Sequence, residues 1–170
     1  MLLAIVFAGN TATAYTPSVA DLDAAARAVG NRRDLAQRIG ESVFSVRWSA
    51  EVSQISANSL EGHLIVGIRI LGVKFHQPLT QAQFESEVVT LVQKTFAAQP
   101  STEEIDIWAS VPIGVAKGEV VSGDLAKPTS RTVFSLTARR GETSQMLRAR
   151  IDRGDGVFWN PRWIRTAFKA

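Results

Sequence analysis

The segment from Leu79 to Pro100 constrains the fold more than any other, because it marks a helix at both ends. Thr80 and Gln83 have the spacing of a capping box, and Leu79 ahead of the cap can staple onto Phe84 at the fourth helical position. Phe84, Val88, Leu91, Val92 and Thr95 then share one stripe, with Gln81, Glu85 and Lys94 off it. Gln99-Pro100 closes the element, since the residue before proline is pushed out of the α region. A helix with one apolar stripe must lie on something, and the flanking sequence supplies strands.

On the N-terminal side the period is two. Phe44, Val46, Trp48, Ala50 and Val52 share one face and Ser45, Arg47, Ser49, Glu51 and Ser53 the other, which predicts a half-buried strand over 43–53. Ser56-Ala57-Asn58-Ser59 reads as a turn, and Leu60 to Phe75 as a second strand completing a long hairpin. Its Gly62, Gly67 and Gly72 predict a bulge or bend, and the alternation slips near Leu71-Gly72. Beyond the helix, Ile105, Ile107, Ala109, Val111 and Ile113 alternate along a third strand, with Asp106, Trp108 and Ser110 facing away.

Residues 114–130 read as a loop with room for a short strand at Glu119-Val120-Val121. Two further strands, 131–139 and 143–151, flank a turn at Arg140-Gly141-Glu142. Two helices precede the first strand: one carries Leu22, Ala25, Ala26 and Val29, and the other covers 32–39 and ends at Gly40. Asn160-Pro161 opens a terminal helix, asparagine as cap and proline at the first helical position.

The expected order is α-α-β-β-α-β-(β)-β-β-α. This is an α+β fold with a mostly antiparallel curved sheet, a long hairpin plus three or four further strands, packed by a long central helix. The order resembles that of NTF2-like cones and, less closely, of cystatin-like folds. That resemblance implies an architecture and carries no activity with it.

The chain has 170 residues, 45% hydrophobic and 21% charged, enough for one core without covalent staples, and 15–170 are read as a single domain. Residues 1–14 read differently. Leu2 to Ala8 is an apolar run and Ala12-Thr13-Ala14 a small-x-small cleavage pattern, the layout of a secretory signal peptide. The run is far shorter than the roughly 20 residues that span a bilayer. Cysteine is absent, which excludes disulfides, thiolate catalysis and zinc-thiolate sites. Export without disulfides fits a bacterial envelope, so the expected location is extracytoplasmic, periplasmic or secreted.

Charge gives the first functional lead. From Arg139 onward there are eight basic residues against three acidic; the preceding part has eleven against thirteen, giving the net charge of +3. Arg148, Arg150, Arg153, Arg162 and Arg165 are interleaved with Trp159 and Trp163, a combination that can fork onto anions and stack on rings. The expected partner is an anionic envelope component or an acidic protein surface, with peripheral membrane contact allowed. No nucleic-acid motif is present, and nucleic acid is not expected.

Catalysis has little material. A triad would have to use His63 or His76, and there is no G-x-S-x-G elbow. His76, where a strand gives way to the long helix, is the better candidate base, with Asp106 as its partner. Glu103, Glu104 and Asp106 could supply a carboxylate pair. Ser122, Lys127 and Ser130 lack the spacing of a serine–lysine system. Asp152-Arg153-Gly154-Asp155-Gly156 lacks the third oxygen ligand and distal glutamate of a calcium loop, so neither metal nor cofactor is expected. An alternative pocket would use Arg47, Glu51, His63 and Arg69 on the polar face of the hairpin. The leading expectation is a non-catalytic binding or structural module; the alternative is a small-ligand-binding or hydrolytic pocket that uses His76.

Overall fold

The capped helix and the strands around it form as their patterns require. The computed structural model describes residues 32–113 and 130–169. In chain order its elements are α1 (Arg33–Val43), β1 (Ala50–Leu60), β2 (His63–Phe75), α2 (Gln81–Ala98), β3 (Thr102–Pro112), β4 (Ser130–Arg139), α3 (Ser144–Arg153), β5 (Val157–Trp159) and α4 (Pro161–Ala167). The fold is α+β, with one five-stranded sheet in the order β1-β2-β3-β4-β5 among the described residues. The leader, the helix expected around Leu22–Val29, the short strand at 119–121 and the Ser122–Lys127 pair lie outside the described residues.

The sheet is mixed. β1–β2, β3–β4 and β4–β5 pair antiparallel, whereas β2 and β3 run parallel. The cause is α2. Its box is complete, Thr80 Oγ1 accepting from the Gln83 N–H while the Gln83 side chain accepts from the Thr80 N–H. Eighteen helical residues, about 27 Å of rise, return the chain to the start of β2, so that Thr102 pairs beside Leu64.

Three sequence expectations need correction. The strand predicted over 43–53 begins only at Ala50, because α1 runs on through Gly40 to Val43. Gly40 does not cap. A Cβ there would lie 3.9–4.0 Å from Phe44 and Ile55, ordinary packing distance, so the helix passes through this position without strain. Trp48 Nε1–H donates to the Val43 carbonyl at 2.8 Å, satisfying one of the open carbonyls at the helix end. The turn predicted at Ser56–Ser59 is strand. The hairpin reverses instead at Glu61-Gly62, where φ of +50° and +88° fits a two-residue turn whose backbone twist matches the strands. The strand predicted over 143–151 is α3. Thr143 Oγ1 accepts from the Met146 N–H, Gly154 ends the helix in the left-handed region, and Leu147 and Ile151 are buried one turn apart.

All the helices contribute to one core. Phe84, Val88, Leu91 and Val92 of α2 join Val66, Ile68 and Ile70 of β2, Ile105, Ile107 and Ala109 of β3, and Phe134 and Leu136 of β4 in a single buried cluster. Each of these side chains other than Ala109 contributes about 1.5–3 kcal/mol on burial. Phe84 is the hub of an aromatic group, with ring centroids 5.2 Å from Phe134, 5.5 Å from Phe168, 5.6 Å from Trp163 and 6.0 Å from Phe75 and Trp159. Asn160 caps α4 as its sequence predicts, accepting from the N–H groups of Arg162 and Trp163. Trp163 in turn donates its Nε1–H to the Gly72 carbonyl at 2.6 Å. The alternate residues of β2, β3 and β4 point to the opposite face of the sheet, which no described helix covers.

Candidate functional site

Register lays out the helix-free face in three rows. Gln54, Arg69, Trp108, Ser135 and Phe158 are neighbours across all five strands. Ser56, Gly67, Asp106 and Thr137 form the next row, and Asn58, Ile65, Glu104 and Arg139 the third. Side chains directly opposite one another in a sheet share a face, so these rows make one continuous surface.

Trp108 dominates it. A Cβ on Gly67 would lie 3.1 and 3.3 Å from the Trp108 ring carbons Cζ3 and Cη2, and 2.7 Å from Ser56 Oγ. The indole therefore lies back over Gly67, where an added Cβ would force the ring and the Ser56 hydroxyl to shift. Polar groups surround the ring. Asp106 accepts from the Thr137 hydroxyl at 2.6 Å, and Arg69 Nε–H donates to Ser110 Oγ at 2.9 Å. Glu104 is held above the usual glutamate pKa, first by partial burial and then by the Asp106 charge two residues away, with Arg139 at 3.8 Å opposing both.

The third row opens into a groove of about 830 Å³ at the hairpin end of the sheet. His63 and Glu103 pair there through Nδ1 and Oε2, and Arg140 Nε–H donates to the Thr102 carbonyl at 2.8 Å. The carboxylate pair and the hairpin histidine considered from sequence thus come together around Glu104. Among the described residues no group of three or more histidines and carboxylates could hold a metal ion.

His76 and Asp106 do not meet. Asp106 sits opposite Gly67, nine residues or about 30 Å of strand before His76, which lines a separate groove with Arg47. The alternative pocket is only partly assembled: Glu51, opposite Leu71, and Arg69, opposite Gln54 and beside Trp108, fall on the helix-free face, while His63 sits at the far turn and Arg47 lines the His76 groove.

The C-terminal arginines spread over two helices. Arg148 donates to Ser86 Oγ, Arg153 faces Asp155 at 3.7 Å, and Arg162 and Arg165 are exposed on α4. Arg150 is engaged within the fold, with Glu142 Oε1 at 2.6 Å and the Thr137 carbonyl at 3.2 Å. Trp163 is core, and Trp159 packs 4.6 Å from Phe134, so the tryptophans of this region are structural rather than surface rings. Trp108 faces outward, in one row with the exposed Phe158. Its alternation with Ile107 and Ala109 signals the direction, but Gly67, the residue beneath it, is forty-one earlier in the sequence and gives no local clue.

Fold and site together define a mixed α+β sheet with helices on one side and an aromatic–carboxylate surface on the other. Comparison with protein-family models, curated proteins and solved structures found no match for this chain.

Proposed function

We propose that this protein is a non-catalytic binding module of the bacterial envelope, exported by its apolar leader, whose helix-free face takes a polar ring such as a sugar unit of a wall polymer. The observation that carries the proposal is the Trp108 indole lying over Gly67 among hydrogen-bonding side chains. A sugar ring presents C–H groups on its face and hydroxyls at its edge. The indole accepts the first, while Asp106, Glu104 and Arg69 are placed to bond the second. A cone of the NTF2-like or cystatin-like kind would line its cavity with residues of this same face. The exposed Arg148, Arg153, Arg162 and Arg165 would add attraction for an anionic polymer.

The test is titration with soluble wall-glycan fragments, followed by calorimetry. Trp108→Ala should weaken binding at least about tenfold, roughly 1.4 kcal/mol, with little change in melting temperature. Gly67→Ala should weaken it too by pushing the ring aside. Unchanged affinity in both variants would refute the assignment.

His76 supports a second reading. With Arg47 it lines a groove of about 520 Å³, which suits a small anion better than hydrolysis, because Asp106 lies too far away to orient the imidazole.

A further inference from the structure

The molecule is polarised along its strand axis. Six large hydrophobic side chains are exposed among the described residues, and four of them, Phe44, Val46, Val73 and Ile113, lie at one end of the sheet. Register establishes this. Ala50 pairs with Phe75, bringing the Phe44–Ser49 segment beside the end of β2; Leu71 pairs with Ser110, and Pro112 with Ser130, bringing the end of β3 to the same place. Val73 is 61% exposed and Phe44 56%, and large apolar side chains gathered in one exposed place are costly in water.

Two exposed arginines stand at this end among the described residues. Arg47 and Arg131 are exposed and, among the described residues, neither forms an ion pair. His76 lines the groove that Phe44, Val46 and Arg47 also form. The nearby Glu87 carboxylate is turned inward, accepting the N–H groups of Ser49 and Ala50 at 2.9 Å. The opposite end carries Glu61, Glu103 and Glu104 beside Arg139 and Arg140.

We propose that the Phe44–Val73–Ile113 end docks onto an anionic lipid surface. The apolar side chains enter the headgroup boundary while Arg47 and Arg131 meet the lipid phosphates. No described helix is long and apolar enough to cross a membrane, so contact here is peripheral. Apolar insertion and charge attraction together are what a reversible interfacial contact requires. This surface is separate from the Trp108 face, and its function does not depend on that site.

Flotation of the full chain with phosphatidylglycerol-containing and pure phosphatidylcholine vesicles tests the proposal. Binding should appear only with the anionic vesicles and fall steeply between low and high salt. Val73→Glu and Val46→Glu, both at exposed positions, should each reduce vesicle binding about tenfold while the melting temperature holds. The pair Arg47→Gln and Arg131→Gln should reduce it several-fold and flatten the salt dependence, and Trp108→Ala should leave it unchanged. Absence of binding at low salt would overturn the proposal. So would full binding by Val73→Glu, or loss of binding through Arg162→Gln and Arg165→Gln instead.

Discussion

Glu104 carries a consequence that can be followed in a titration. Its folded-state pKa lies above the ordinary glutamate value because burial and the Asp106 charge both disfavour the carboxylate. Over the pH interval from the ordinary value up to the raised one, the folded state holds more proton than the unfolded state. Stability therefore falls as pH rises through that interval. Glu85 is shifted in the same direction, chiefly by burial. Glu104→Gln should remove its part of this slope, so the variant gains on the wild type at neutral pH and the gain vanishes in acid. Melting temperatures recorded across the acidic range would show it, and a parallel shift at every pH would count against the cause. The alternation in β3 already makes the outward direction of Glu104 and Asp106 legible. Which neighbour each one meets is set by Arg139 and Thr137 on β4, some thirty residues later.

Element by element, the segments that folded as their sequence predicts carry their own end signals. The α2 capping box is the strongest, and Thr80→Ala removes the acceptor for the Gln83 N–H. Denaturant unfolding should show a loss of about 1 kcal/mol with an unchanged slope. A loss near zero would mean that tertiary packing alone holds the helix start. Segments whose apolar residues fit both periods went the other way. Leu147, Ala149 and Ile151 alternate as a strand would, yet Leu147 and Ile151 are also one helical turn apart. The Thr143 cap and the face offered by α2, where Arg148 reaches Ser86, select the helix. The 43–49 stretch alternates as well. Its backbone is claimed by the end of α1, leaving Phe44 and Val46 outside.

At the scale of the whole molecule, Phe84 ties α2 to β4, β5 and α4 through its five ring contacts. Phe84→Ala should cost about 3–5 kcal/mol. That is a large fraction of the roughly 5–15 kcal/mol that holds a typical domain together. Loss of the near-ultraviolet tryptophan signal should accompany the main unfolding transition at a lower temperature, because Trp159 and Trp163 share the cluster. A separate early transition confined to the tryptophans would show that the C-terminal segment folds as its own unit. Among the described residues the helices gather on one side of the sheet and leave the polar face and the apolar end uncovered, the two surfaces on which the proposals rest.

The sequence by itself determined α2 and α4 with their caps, the period-two strands of the sheet and the α+β class. Those depend on hydrogen bonds and burial patterns between residues a few positions apart. Tertiary structure decided the parallel pairing of β2 and β3, the helical state of 144–153 and the placing of Trp108 over Gly67. In each case two local solutions satisfied the same pattern. The choice fell to distant surfaces that only the folded chain brings within contact.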